Sequence, residues 1–401
     1  MTEVVEKKVW QKTFGLDLLR AVPMGIVETV GSTFAMFVAV GILEVGTLSK
    51  SAIIGGPALG LLISLFSVAM VRRMGMSVNV ASALGWGVSA ASFAAAALFP
   101  HQAGIYVFGI VLAALTHTLA SPLQSQIYRQ LYPDKIRGKL FSSVGFVRAG
   151  AAALFGFYGG RWLVAQGVDY SGLFWVFAGC SLLKAVFTLC MDRVYLRKTG
   201  KLSLLSAFEH LRDDAPFRKL ILTWMLLGLG NLICMALFVE YITNPLYGFG
   251  FGAEKVSMVT TTVPMLAFIL SVIVWGVIYD RVEFYRLRVI VNLFFIAGVL
   301  VYYLSPGYLG LCIGMALHGM GKAGGNVLWS LWVTKFAPAD RVGEYMSVHT
   351  CFTGIRGVIS AFAAFQIALI LGPTALGIIG GSLMLLSSCL LIPEVRANWG
   401  K

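Results

Sequence analysis

YPDKIRGKLFS at residues 132–142 and APADRVGEYMS at residues 337–347 are two short polar stretches in an otherwise apolar chain, and they are versions of one pattern. Proline, glycine and serine recur at one constant offset, as Pro133 and Pro338, Gly138 and Gly343, and Ser142 and Ser347. A repeat separated by about half the chain implies two copies of one unit, so the second half is expected to build what the first builds.

Around both stretches the composition is that of a lipid-embedded protein. Of 401 residues 58% are hydrophobic and 12% charged, against about a quarter charged in a soluble domain. A helix crosses the hydrocarbon with about 20 apolar residues, and runs of that kind cover 17–43, 47–70, 76–99, 103–128, 141–164, 171–191, 218–243, 256–278, 288–304, 308–335, 346–370 and 374–391. Transmembrane strands would alternate apolar and polar residues in short segments, which these runs do not. The predicted fold is therefore all-α and integral to the membrane, with twelve transmembrane helices in two pseudo-symmetric six-helix halves. Each copy of the repeat falls between the fourth and fifth span of its half. Residues 1–192 form the N-terminal half and 217–401 the C-terminal half. Between them, 193–216 reads as an amphipathic cytoplasmic linker, with Leu202, Leu205, Phe208 and Leu211 at helical spacing.

The net charge of +13 is distributed as a topology signal rather than as a nucleic-acid surface. Lys7, Lys8 and Lys12, then Arg72 and Arg73, the groups Arg129 to Lys139 and Arg193 to Lys219, Arg281 to Arg288, Lys335 with Arg341, and Arg396 with Lys401 fall on alternate connections. The opposite connections carry only Lys50, Arg161 and Lys255. Basic loops stay inside, so both termini are predicted cytoplasmic in a multi-pass protein of an inner or plasma membrane. Its partners are then the lipid bilayer and a small-molecule substrate, with no nucleic acid, and a monomer is expected. No cleavable signal is evident, and Val5, Val9 and Trp10 are expected against the membrane surface. The six cysteines lie inside spans without paired metal-ligand spacing, so no metal or other cofactor is expected.

One stretch looks at first like a phosphate loop. HGMGKAGGNVLW, residues 318–329, has a Gly-Lys pair but Ala316 and Ala323 where the pattern needs glycine and a hydroxyl residue. With no ATP motif, no nucleophile motif and no metal constellation, neither a pump nor a membrane-embedded enzyme is indicated.

GVIYDRVEFYR, residues 276–286, supplies Gly276, Asp280, Arg281 and Arg286, and SVAMVRRMG supplies Arg72, Arg73 and Gly75 with Val71 in the place of an acid. With the two parallel halves, these loops make the chain resemble the major facilitator superfamily over essentially its full length. The resemblance implies alternating access around a cavity lined by the first, fourth, seventh and tenth spans. It also implies gating contacts at Asp280, Arg281, Arg72 and Arg73.

Ionisable groups at membrane depth are costly and face a cavity or a partner. Glu28 falls there on the first span, His117 on the fourth, Arg148 on the fifth, Lys322 on the tenth and Arg356 on the eleventh. His318 and His349 lie nearer the ends, and Lys184 close enough to an end to snorkel. His318, Lys322 and Asn326, four apart, form a polar stripe matched by His117, Ser121, Gln124 and Tyr128 on the fourth span. The stripes could equally be interhelical hydrogen bonds, with Gly314, Gly321 and Gly325 serving only to pack. The candidate substrate contacts are Lys322, Arg148, Arg356, His117, His318, Asn326, Gln124 and Asn231. The cations outnumber Glu28, which points to an anionic solute and leaves Glu28 as the proton-coupling group. The function expected is secondary active transport of a small anionic organic solute, coupled to protons. The alternative is a proton-driven exporter of amphipathic or cationic compounds, with Glu28 on the substrate.

The charge distribution generates a topology test. Single cysteines at Ser305 and at Ala397, in a cysteine-free background, should be labelled from opposite sides of intact cells. Labelling of both from one side would refute the twelve-span arrangement.

Overall fold

The computed structural model describes residues 3–196, 211–336 and 342–397, and every regular element among them is helical. Helix α1 runs Glu3–Thr29, passes through a π-helical turn at Val30–Phe34 and continues as Ala35–Gly41. It is followed by α2 (Thr47–Met74), α3 (Val78–Leu98), α4 (Ala103–Leu131), α5 (Arg137–Ala165), α6 (Ser171–Cys190) and α7 (Ala215–Thr243). The eighth crossing, α8, starts as Ala253–Ser257, takes a second π-turn at Met258–Thr262 and ends as Val263–Arg281. Then come α9 (Phe284–Leu304), α10 (Tyr308–Phe336) and the run Val342–Cys389, which Gly372 breaks with φ 83° ahead of Pro373 into α11 and α12.

Ten helical stretches among the described residues are long and apolar enough to cross a membrane, the last of them, Tyr345–Ala397, holding both α11 and α12. With the 29-residue α10 the count reaches twelve, as the hydropathy runs predict. Large apolar side chains left exposed, such as Leu270 at 75% and Ile370 at 77%, have only lipid as a plausible solvent.

The repeat is visible in the helices themselves. Helices α4 and α10 each have 29 residues, α3 and α9 each 21. In the first half α4 packs on α2 and α3, and α3 packs on α6; in the second α10 packs on α8 and α9, and α9 packs on the run that ends in α12. The chain divides into two compact units, Met1–Gly200 with Thr243–Thr262 and Lys201–Ile242 with Val263–Lys401. The second copy of the repeat lies partly, and Leu202, Leu205 and Phe208 of the linker wholly, outside the described residues.

Close packing rests on small residues, because lipid gives helices no hydrophobic reason to associate. A Cβ on Gly25 of α1 would stand 3.0 Å from the Ala152 amide nitrogen of α5. A Cβ on Gly298 of α9 would stand 2.7 Å from the His318 amide nitrogen of α10. Within the first unit, the start of α8 is held on α1 and α5. Ser32 and Thr261 share a hydrogen bond of 2.5 Å, Thr33 meets Thr260 at 2.5 Å and Thr261 at 2.6 Å, and Arg161 Nε lies 2.8 Å from Glu254 Oε1.

The N-terminal segment forms the first turns of α1, where Lys12 pairs with Asp192 at 2.9 Å. One expectation is corrected here. Arg288 is not a loop residue, since α9 begins at Phe284, capped by Glu283 Oε2 accepting from the amides of Tyr285 and Arg286, and Arg288 is fully buried.

A methyl group at Gly298 should force α9 and α10 apart, an overpacking worth about 1–3 kcal/mol. Gly298→Ala is expected to lower the thermal unfolding midpoint in detergent by several degrees, whereas Gly307→Ala, with open space around it, should not. Equal midpoints for the two variants would mean that the α9–α10 contact is not tight.

Candidate functional site

A cavity of about 340 Å³ opens inside the first unit, lined by α1 to α5. Its walls are mostly apolar, with Met24, Ile53, Phe93 and Ile110 among them, and its ionisable groups are Glu28, His117 and Arg148. This is the size and character of a small-ligand site. Three of the sequence-derived candidates, from three helices, thus share one chamber.

The Gly25 contact explains how two of them meet. It brings α1 against the Arg148 turn of α5, and one turn later Glu28 Oε2 lies 3.5 Å from Arg148 Nε. Each side chain is about a third exposed, and Arg148 Nε makes no hydrogen bond. A charge-assisted hydrogen bond would be about 2.7–2.9 Å, so the pair is held by charge without being locked.

Behind His117 stands Lys184, fully buried, its Nζ 3.0 Å from His117 Nδ1. Snorkelling is not what this lysine does: the ammonium points inward and sits 5.1 Å over the Trp86 ring. An ammonium has only donors, so with Lys184 protonated Nδ1 accepts and the histidine proton resides on Nε2. Arg20 also lies near this ring, 5.4 Å from its centroid, bonds Asp17, and donates to Thr188 Oγ1 at 2.9 Å and to Tyr128 Oη at 2.8 Å. Tyr132 donates to the second Asp17 oxygen at 2.8 Å. At membrane depth in this unit, two acidic side chains, Asp17 and Glu28, therefore stand among three basic ones, Arg20, Arg148 and Lys184.

The remaining candidates are dispersed. Gln124 is buried in α4, two turns beyond His117. In the second unit, His318 Nε2 donates to Asn231 Oδ1 at 3.0 Å between Phe238 and Phe295, Lys322 is half-buried and Asn326 exposed. The glycines around that stripe pack: Gly314 against Tyr302, Gly321 and Gly325 against Phe295. Arg356 donates to the Trp224 carbonyl and is nearly buried.

Residues 13–361 match the family model of the Major Facilitator Superfamily. The chain belongs to that superfamily. Among solved structures, a point variant of the nucleoside transporter NupG superposes with a TM-score of 0.77 at 13% identity, covering 95% of this chain and 99% of that one. A D-xylose–proton symporter gives 0.71 at 14% identity, covering 96% and 97%; likenesses at such identities concern the fold alone. A curated relative, organic cation/carnitine transporter 7 of Arabidopsis thaliana, is 30% identical over 119 residues, which are 29% of this chain and 23% of that protein.

This superfamily member is thus a secondary transporter and not an enzyme. Of its loop residues, Arg72 is half-buried, Arg73 and Arg281 are exposed, and the Asp280 side chain lies outside the described residues. Asp17, Arg20 and Lys184 were not singled out as site residues from sequence. The Asp-x-x-Arg spacing at 17–20 was the available signal, since residues three apart share a helix face.

If Lys184 acts by holding His117, the two substitutions should not add. Lys184→Met and His117→Ala are expected to reduce solute uptake to a similar degree, and the double variant no further. Additive losses would show that they act separately.

Proposed function

We propose that this chain carries a small organic solute bearing an anionic group, coupled to protons, with the cavity of the first unit as its binding chamber. The observation that carries this reading is the Glu28–Arg148 pair, 3.5 Å apart on the cavity wall and not locked by a hydrogen bond.

Charge compensation supplies the mechanism. Without solute, Arg148 and Glu28 neutralise each other. An arriving carboxylate or phosphate offers the guanidinium a fork-like partner, with His117 Nε2–H as a second donor. Glu28 then shares Arg148 with the solute's anionic group at membrane depth, which makes its own charge more costly, and binding a proton removes that cost. Solute and proton so enter together, and the release of one returns Glu28 to Arg148. Three basic side chains, Arg20, Arg148 and Lys184, against two acidic ones, Asp17 and Glu28, support an anionic cargo. Lys322, in the equivalent stripe of the second unit, is proposed as a further anion contact, with His318, Asn231 and Asn326 beside it. Arg72, Arg73, Asp280 and Arg281 are proposed to act in gating, and both termini to be cytoplasmic.

A second reading keeps the chamber and reverses the cargo. Its mostly apolar wall and the Glu28 carboxylate also suit an amphipathic cation, and the name of the curated relative, organic cation/carnitine transporter 7, favours this reading over the residues matched.

Glu28→Gln, a mimic of the protonated acid, separates the two. It is expected to retain binding and counterflow of an anionic solute while losing accumulation driven by an imposed pH gradient. Concentrative uptake with unchanged pH dependence would overturn the coupling role, and loss of binding to cationic but not anionic compounds would favour the second reading.

A further inference from the structure

A second set of charged side chains lies away from this cavity, wholly within the second unit. Arg288 of α9 is fully buried, and none of its three guanidinium nitrogens meets a hydrogen-bond acceptor. Its Cζ lies 4.0 Å over the Trp224 ring of α7. Arg356 of α11 is 7% exposed; Nη1 donates to the Trp224 carbonyl and Nε has no acceptor. The guanidinium is seated against Gly228, one turn from Trp224, where any Cβ would collide with it. The His349 ring, two turns before Arg356, is 5.4 Å from the Trp224 ring. Asn292, one turn after Arg288, donates to Ser388 Oγ at 3.0 Å but leaves its own Oδ1 without a partner. Among the described residues no carboxylate pairs with either arginine.

Two buried guanidiniums around one tryptophan, with no counter-charge, are costly for a fold to hold. Stacking on the indole offsets part of that cost. It also has a geometric effect: a guanidinium stacked by its face keeps its in-plane N–H donors directed outward from its edge. A cation fixed in this way, short of acceptors, lacks one kind of partner. We propose that Arg288 and Arg356 form an oxyanion site of the phosphate class inside the second unit, held in place by Trp224 and Gly228. Phosphate suits it because its oxygens accept several donors from planar forks and its charge offsets two cations. The phosphate can belong to a free small anion or to an anionic lipid headgroup, since Arg288 lies within the second turn of α9. The site does not depend on the cargo assigned to the first unit.

The test uses purified, delipidated full-length protein in an uncharged detergent, with the unfolding midpoint as readout. Sodium phosphate is titrated against sodium chloride at equal ionic strength, and phosphatidylglycerol against phosphatidylcholine in mixed micelles. The wild type should show a saturable rise in midpoint with phosphate, with phosphatidylglycerol, or with both. Phosphate alone identifies a free anion, and phosphatidylglycerol alone a headgroup. Arg288→Met should lose the rise yet match or exceed the wild-type midpoint without anion, because it removes an uncompensated buried charge. Arg288→Lys should keep part of the rise, which guards against a Met variant that fails to fold. Anion-dependent change in tryptophan emission should disappear in Trp224→Phe. A wild-type midpoint indifferent to both anions, or an Arg288→Met variant that responds as the wild type does, overturns the proposal.

Discussion

A charge below the lipid headgroups has no water to fall back on, and the placement of most polar side chains in this protein follows from that. In the first unit each cation at membrane depth has a different solution. Arg20 is enclosed by Asp17, Thr188 and Tyr128, Arg148 faces Glu28, and Lys184 rests on a neutral imidazole and the face of an indole. The most tightly bonded of them sits at the Asp17 end of α1, and the loosest, Glu28 with Arg148, lines the cavity. Because Asp17 and Glu28 are about three helical turns apart, one face of α1 carries both carboxylates. That single face sets where α4, α5 and α6 must bring their basic groups.

The same constraint explains why a carrier can be built here from so few ionisable residues. A salt bridge closed by several hydrogen bonds resists exchange, whereas one held by charge alone can trade partners at modest cost. The Asp17–Arg20 cluster is of the first kind and the Glu28–Arg148 pair of the second. The two kinds of pair are thereby separated along one helix: the more hydrogen-bonded one lies toward its start, and the looser one faces the cavity.

Much of this was legible before any coordinates. The apolar runs locate twelve crossings, the matched Pro–Gly–Ser loops announce two similar halves, and Glu28, His117 and Arg148 stand out as ionisable groups near the middle of their runs. What the sequence could not convey was partnership. Lys184 sits six residues from the end of α6, near enough for a flexible stem to reach the headgroups, and only the position of Trp86 and His117 decides that it turns inward. Arg288 lies among loop arginines in the sequence and is distinguished from them by where α9 starts, a boundary fixed by the Glu283 cap. Arg356 looked like a cavity cation, yet a missing side chain at Gly228 draws it against α7. Long-range packing made each of these choices, and local pattern is silent about it.

The π-turn at Val30–Phe34 begins two residues after Glu28, and its Ser32 and Thr33 hydroxyls are the ones that meet Thr260 and Thr261 in the π-turn of α8. A π-turn stores one surplus residue in a helix. Relaxing it to α geometry would swing everything on one side by about 100° relative to the other, the angle of a single helical step. Glu28 stands on one side of that stored step while the hydroxyl latch is made from the step itself. The stored residue thus ties the direction of the Glu28 side chain to the hydroxyl contacts with α8: a change in the turn would move both together.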